Sequence, residues 1–394
     1  MHPELRNLFN SGYTEHAYYD FLNSLNASAG TQIPFRVAET PVFLNETLRE
    51  ELLQAGNDII NQLLHPDYLA IAKNSIPDRF KVPGEVGKPT MLALDFAIIN
   101  NHEGKNKPML IELQGFPSLF FYQHLLAQSY KTHYPSLKNL SHLFIDEKEY
   151  LVKMKSLLLG GHSNEDTVLL ELDPSNQNTY IDFLETSRQT GIDIVCLSEV
   201  LLDNGHLYRI KAGRKIPIRR IYNRIIFDEL VKRPELAKSY NLTDSIDVEW
   251  VCHPNWYFMI SKFSLPYLKS DNVPHTIFAS DYVSDNIKLS DYVLKPLYSF
   301  SGSGVELHPT ETVLKRISNP TEYILQRKVE YAPSIITPDG NAKVEIRMMY
   351  AWFEGESCPK PVITLARLSK GEMVGVKYNR DKTWVGSSVC LMIS

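Results

Sequence analysis

The chain has 394 residues, 43% of them apolar and 22% charged, with a formal net charge of −5. That length suits two or three cooperating domains with real cores, and the charge excludes a global basic field for nucleic acid or anionic membrane. The four cysteines, Cys196, Cys252, Cys358 and Cys390, form no Cys-x-x-Cys pair, which argues against a zinc site or a disulfide framework and fits a reducing cytosol. The start, Met-His-Pro-Glu-Leu-Arg, lacks an apolar signal core, and no stretch approaches the ~20 apolar residues that span a bilayer. A cytoplasmic protein with no membrane or nucleic-acid partner is expected.

Residues 1–75 read as mainly helical. Leu48, Leu52, Ala55, Ile59, Ile60 and Leu63 form an apolar stripe at helical spacing behind a cap at Asn45 or Thr47, the pattern of a core-packed helix. An extended segment, 33–43, precedes it; its Arg36 and Glu39 could face a ligand or form an ion pair.

Met91–Ile99 and Pro108–Gln114 read as two strands joined by a polar turn containing Gly104. Paired as a hairpin, they bring Asp95 near Glu112 and Gln114, which lie two apart and so share a face. Such groups on an apolar strand are costly unless something pairs them. Magnesium on a polyphosphate would do so, since it takes hard oxygens and few protein carboxylates; hydration of an exposed face is the alternative. A turn at 115–118 and an aromatic-rich helix from Leu119 to Tyr130 follow.

From about residue 165 strands and helices alternate: a strand at 168–172, a helix at 179–190, a strand at 193–197, then strands at Tyr208–Lys211 and Ile216–Tyr222. This βαβ-like order predicts a parallel sheet, with ligands at the strand C-terminal ends. Asp173, Asn176, Gln177, Asn223 and Arg224 sit there as substrate-contact candidates, or as ordinary turn and surface residues.

Lys262 opens a helix in an apolar setting and is a candidate phosphate contact; a solvated lysine at a helix start is the alternative. The stretch 291–305 reads as a strand ending in Lys295, a loop of Ser301, Gly302, Ser303 and Gly304, then a second strand. Glycine lets backbone approach a ligand closely, and a lysine beside free N–H groups suits a polyphosphate; an ordinary hairpin tip is the alternative. The loop fits neither the P-loop nor the dinucleotide glycine pattern. Residues 322–331 read as a strand running into a connector where an adenine can meet backbone groups. In the strand 343–350, Glu345 and Arg347 share a face, and Arg367 lies on the next strand, 361–368. Strands at 374–379 and 384–388 complete the pattern. Arginine suits phosphate through its planar donor fork, although either arginine could pair with Glu345.

The order of these pieces resembles the ATP-grasp ligases: Lys262, then Lys295 with its small-residue loop, the hinge strand Ile324–Lys328, Glu345-Ile-Arg347, and Ala366-Arg367. The aspartate strand and Glu-x-Asn metal motif that end the family order stand at the front here, as Asp95 and Glu112-Leu-Gln114. That arrangement is similar to the circularly permuted members, eukaryotic-type glutathione synthetase and, more distantly, glutathionylspermidine synthase. Gln114 departs from the family's Asn; its extra methylene shifts the carbonyl. The resemblance implies an α+β, circularly permuted ATP-grasp fold with an inserted α/β substrate domain (151–245), between a helical segment with the permuted strand pair (1–150) and the nucleotide-binding region (246–394).

It further implies ATP and Mg²⁺ as cofactors. Asp95, Glu112 and Gln114 would hold the metal, and Lys262, Lys295 and the 301–304 loop the phosphates. Arg327, Lys328 and Val329 would meet adenine largely through backbone, with Glu330 on the ribose and Gln326 also among the cofactor-binding residues. Arg347 and Arg367 become the catalytic candidates. The implied reaction is carboxylate–amine ligation through an acyl phosphate, releasing ADP and phosphate, on small-molecule acid and amine substrates, in a homodimer. The competing readings are a small-molecule kinase and a nucleotide-binding protein without catalysis.

Overall fold

The structure is a computed structural model that describes residues 1–285, 287–299, 302–374 and 379–393. Ser301 of the expected loop and most of the expected strand at 374–379 lie outside the described residues. The first third holds helices α1 (Pro3–Gly12), α2 (Glu15–Ala29), α3 (Glu46–Leu63) and α4 (Pro66–Ala72), with the short strand β1 (Val42–Leu44) between α2 and α3. Asn45 caps α3, its side-chain oxygen accepting from Leu48 N at 3.1 Å. Such a cap contributes about 1 kcal/mol. The apolar stripe of α3 is fully buried, as its spacing predicts.

Strands β2 (Met91–Asn100) and β3 (Asn106–Gln114) follow as an antiparallel hairpin. Its turn is tied by Asn101, whose side-chain oxygen accepts from Glu103 N and Lys105 N, and by Gly104 at φ +76°. Helices α5 (Phe120–His133) and α6 (Glu147–Leu159) lead to β4 (Thr167–Glu171), α7 (Tyr180–Thr190) and β5 (Asp193–Cys196).

Here the structure corrects the sequence reading. The stretch 201–218 does not continue a βαβ unit. It forms a separate antiparallel meander of β6 (Leu201–Asp203), β7 (His206–Lys211) and β8 (Arg214–Ile218). The expected strand at 216–222 breaks in two at Arg219, and its second half, β9 (Arg220–Asn223), rejoins the parallel sheet. That sheet has the order β10-β9-β4-β5, with β10 at Glu249–Val251. The tight turn at Ala212-Gly213, both at positive φ, is the local cause: it folds β7 back on β8 instead of across the sheet.

A three-stranded antiparallel sheet, β11 (Thr276–Phe278), β13 (Tyr323–Arg327) and β12 (Tyr292–Pro296) in that order, carries the expected loop and connector. The long strands β14 (Lys343–Ala351) and β15 (Lys360–Ser369) and the short β16 (Gly386–Ser388) then complete a five-stranded antiparallel sheet with β2 and β3, ordered β16-β15-β14-β2-β3. Strand β17 (Cys390–Met392) pairs in parallel with β1. The first and last thirds of the chain therefore share one sheet. Helix α3 packs on one face of it so closely that a Cβ on Gly56 would meet the Tyr350 hydroxyl at 1.9 Å. The other face carries the charges described next. Among the described residues no helix is long and apolar enough to cross a membrane.

Candidate functional site

Register places five of the charged residues together. Asp95 on β2 lies opposite Glu112 on β3 and opposite Arg347 on β14, and Glu345 on β14 lies opposite Arg367 on β15. The side-chain period of two then sets all five on one face. Arg347 grips Asp95 with Nε and Nη2, each 2.6 Å from a different carboxylate oxygen. Arg367 donates to Glu345 at 2.6 Å and lies 3.6 Å from Asp95. The second oxygen of Glu345 accepts from the Tyr331 hydroxyl at 2.9 Å.

Burial works against the charge on Asp95, yet Arg347, with Arg367 and Lys262 behind it, holds its carboxyl below the usual range. Burial pushes Glu345 the other way, and the same burial, with the charge of Glu345 beside it, keeps the Tyr331 phenol protonated. The two expected catalytic arginines are thus unlike. Arg347 is 7% exposed and committed to Asp95, whereas Arg367 is 35% exposed and faces outward.

The two expected phosphate lysines also differ. Lys262 Nζ lies 2.9 Å from Glu112 Oε1 and donates to Ser299 O at 2.8 Å. Lys295 Nζ donates to Gln326 Oε1 at 2.5 Å and Ile111 O at 3.3 Å, two neutral acceptors. Burial without a directly bonded acid lowers its pKa to about 8. Glu112, Gln114, Lys262 and Ser299 line one small hollow. Glu112 and Gln114 are the oxygen donors there that could face a metal, because both oxygens of Asp95 are taken. Among the described residues no three His, Cys, Asp or Glu side chains are grouped to hold a metal.

The connector after β13 borders a larger cleft of about 540 Å³, between the three-stranded sheet and the β2–β3 hairpin. Arg327, Lys328, Val329 and Glu330 all line it, facing Ile99 and Met109. Arg327 N and Lys328 N are used up by His275 O and Asp291 O, and the chain re-engages β2 at Ala332 N. Among the described residues, no backbone partner is assigned to the N–H groups of Val329 and Glu330. Tyr331, which sequence reasoning passed over, lines this cleft while its hydroxyl reaches Glu345. It ties the cleft to the charge cluster.

Of the glycine loop, Gly302, Ser303 and Gly304 are exposed, with both glycines at positive φ. The loop returns to β12 through a bridge between Leu294 and Glu306 rather than a second full strand. A Cβ on Gly304 would lie 2.8 Å from the Pro296 ring, so the backbone closes tightly there.

The turn 115–119 joins this site to the parallel sheet. Gly115 N donates to Ile260 O at 2.7 Å, holding the Lys262 segment. Arg224, at the end of β9, donates to Pro117 O at 2.7 Å. Asp182 on α7, wholly buried, accepts from Leu119 N, Phe121 N and Tyr122 N and so caps α5 from a distance. Arg224 is buried beneath Phe116; among the described residues no carboxylate lies within ion-pair range of it and its Nε lacks an acceptor, while Asp182 and Glu171 are close enough to feel its charge. Nearby, at the end of β4, burial raises the Glu171 carboxyl to about 8. Gln177 bridges Leu172 O and Glu229, Asn223 turns onto its own segment through Ile225, and Asp173 and Asn176 bond each other at the surface.

No protein-family model and no curated protein matches this sequence. Among solved structures, the chain is similar to a glutathione synthetase-like effector from Globodera pallida, solved in its apo form, with a TM-score of 0.58, 10% identity and 96% of each chain covered. At that identity the likeness is one of architecture: the chain has a mixed α+β, glutathione synthetase-like fold.

Proposed function

We propose that this chain is a magnesium- and ATP-dependent ligase joining a carboxylate to an amine, built on a circularly permuted ATP-grasp core with an inserted α/β unit. The observation that carries the reading is the run of β3. Met109 borders the larger cleft, and Glu112, three residues on and so roughly 10 Å along the strand, faces Lys262 in the charge cluster. A base-sized cleft leading into clustered cations suits a nucleoside triphosphate. The base meets the N–H groups of Val329 and Glu330, the Glu330 carboxylate takes the ribose, and Lys262, Lys295 and the glycine loop take the phosphates. The assembly of one sheet from the first and last thirds of the chain supports the permuted order.

Glu112 and Gln114 fit a magnesium ion, as hard oxygen donors beside room for phosphate; Asp95 stands behind them as the counter-ion of Arg347. Bound magnesium would neutralise triphosphate charge. The remaining work belongs to the chain. Arg224, buried and with no carboxylate in ion-pair range among the described residues, anchors a carboxylate of the acid substrate at the C-terminal edge of the parallel sheet. Arg367 reaches the carboxylate that takes the γ-phosphoryl group and then the oxyanion formed as the amine attacks the acyl carbon and phosphate leaves. The glycine loop excludes water from the acyl phosphate.

The test is thermal stabilisation by ADP or ATP with Mg²⁺, in wild type and in Glu112→Gln and Lys295→Ala. A ligand at a hundredfold excess over its dissociation constant stabilises by about 2.7 kcal/mol. A magnesium-dependent shift weakened in both variants is expected, followed by release of both ADP and phosphate with some pair from an acid and amine panel. No shift with any purine nucleotide refutes the proposal. ADP without phosphate release identifies a kinase. One observation favours a second reading, nucleotide binding without turnover: every carboxylate of the cluster is already neutralised by a protein cation. Binding with no product from the whole panel would select it.

A further inference from the structure

The carboxylate best placed for a metal is already occupied by a cation of the protein itself. Lys262 Nζ sits 2.9 Å from Glu112 Oε1, held from the other side by Ser299 O at 2.8 Å. The lysine side chain is 6% exposed and Glu112 29%, so this is a seated contact and not a surface encounter. Gly115 enforces it, since the backbone of 256–260 packs so close that a Cβ there would lie 2.4 Å from Trp256 O. The surrounding cluster holds three carboxylates, Asp95, Glu112 and Glu345, against four cations, Lys262, Lys295, Arg347 and Arg367. With all of these ionised, its charge without ligand is +1. A bare divalent cation would raise that to +3 and would have to displace Lys262 from Glu112, the one acid among the described residues that line that hollow. A metal–triphosphate complex, net −2, lowers it to −1 and offers Lys262 phosphate oxygens in exchange for Glu112.

We propose that Lys262 is a built-in counter-ion that closes Glu112 to free divalent cations and releases it only when a polyphosphate arrives, so that metal enters as its nucleotide complex. This rests on the nucleotide reading above. It makes the site selective for a ligated metal by charge balance, with no gate in the backbone.

The experiment is thermal unfolding and titration calorimetry of the full chain with MgCl₂ alone, ADP alone and both, in wild type, Lys262→Met and Lys262→Arg. Wild type is expected to be unaffected by millimolar Mg²⁺ alone and stabilised by Mg²⁺ with ADP. Lys262→Met should respond to Mg²⁺ alone, with an affinity at least ~10-fold above wild type, and lose much of its nucleotide response. Lys262→Arg, which keeps the counter-ion, should stay closed to Mg²⁺ alone. Stabilisation of wild type by Mg²⁺ alone overturns the inference while leaving the nucleotide reading intact, as does a Lys262→Met response no greater than that of Lys262→Arg. If Lys262→Met does not fold, the wild-type comparison decides. A wild type indifferent to Mg²⁺ with ADP takes both readings down.

Discussion

Replacing Asp95 by asparagine asks whether this carboxylate serves a metal or an arginine. Its two oxygens each take a 2.6 Å bond from Arg347, and the partners are 1% and 7% exposed. Removing one member of so buried a pair leaves the other charged and unsolvated, at a cost of about 3–5 kcal/mol. The asparagine side chain keeps the shape but presents an amide donor to a guanidinium, so the upper part of that range is expected. Arg347→Met alone should cost a similar amount, because Asp95 would then keep Arg367 at 3.6 Å, with Lys262 behind it, in place of a two-pronged 2.6 Å grip. The double variant Asp95→Leu/Arg347→Met, which removes both charges, should lie within ~1–2 kcal/mol of wild type. Urea unfolding of the apo chain measures wild type, these three variants and Asp95→Leu alone, which closes the cycle. The pH dependence adds an independent sign. Arg347 holds the Asp95 carboxyl below its ordinary value despite burial, so the pair's contribution is fully present above the ordinary aspartate range. It is lost as pH falls through the depressed value, and Asp95→Asn should flatten that acid limb. A single-variant cost under ~1 kcal/mol, with strictly additive effects in the double, would refute the pairing argument and return Asp95 to the metal.

Three further outcomes follow from the geometry. Lys295→Met should stabilise the apo chain at neutral pH while weakening nucleotide-dependent stabilisation, because burial lowers the lysine to about 8; between about 8 and the ordinary lysine value wild-type stability should rise with pH and the variant's should not, as pH-dependent unfolding will record. The imidazoles of His124 and His142, buried and 2.9 Å apart, are held down to about 4 and about 3 by burial. Stability should therefore fall as pH drops from the ordinary histidine value towards about 4, by up to ~1.4 kcal/mol per unit for each group, and His142→Phe should halve that slope in equilibrium unfolding. Gly115→Ala places a methyl carbon 2.4 Å from Trp256 O and 2.9 Å from Ile260 Cβ, and should cost about 1–3 kcal/mol while weakening nucleotide stabilisation more than the exposed control Gly12→Ala, since only the former displaces the Lys262 segment.

Local pattern carried much of the fold. The capped stripe of α3, the β2–β3 hairpin, the strand ending at Lys295 and the shared face of Glu345 and Arg347 all follow from periodicity and turn chemistry acting over a few residues. The meander at 201–218 did not follow, because alternation of short strands reads the same whether they add to a parallel sheet or fold back on themselves. The two-residue turn at Ala212-Gly213 decides the matter, and alanine at positive φ gives no warning in sequence. Arg224 was visible as a strand-end residue. What distinguishes it, burial beneath Phe116 with no acid in ion-pair range among the described residues, is a fact of packing. Tyr331 carried only a faint signal, a tyrosine at the end of a connector, and its link to Glu345 spans 14 residues.

The charge cluster shows most directly where sequence runs out. Counting from the sequence puts Asp95 beside Glu112 and Gln114, since these are hairpin neighbours, and three oxygen-bearing side chains with no cation between them ask for a metal. But β2 is an interior strand and has a second neighbour, β14, contributed from 252 residues further along. Its register sets Arg347 directly across from Asp95. A carboxylate offered a like charge on one side and a guanidinium on the other takes the guanidinium, because the planar fork satisfies both oxygens at once and meets the desolvation cost that Glu112 would only increase. Glu112, left without an arginine, is matched instead by Lys262 from yet another segment. The residue types were therefore those of a polyphosphate site, while the partnerships among them were set by which distant strand lay alongside, and it is those partnerships that separate a structural acid from one able to exchange its cation.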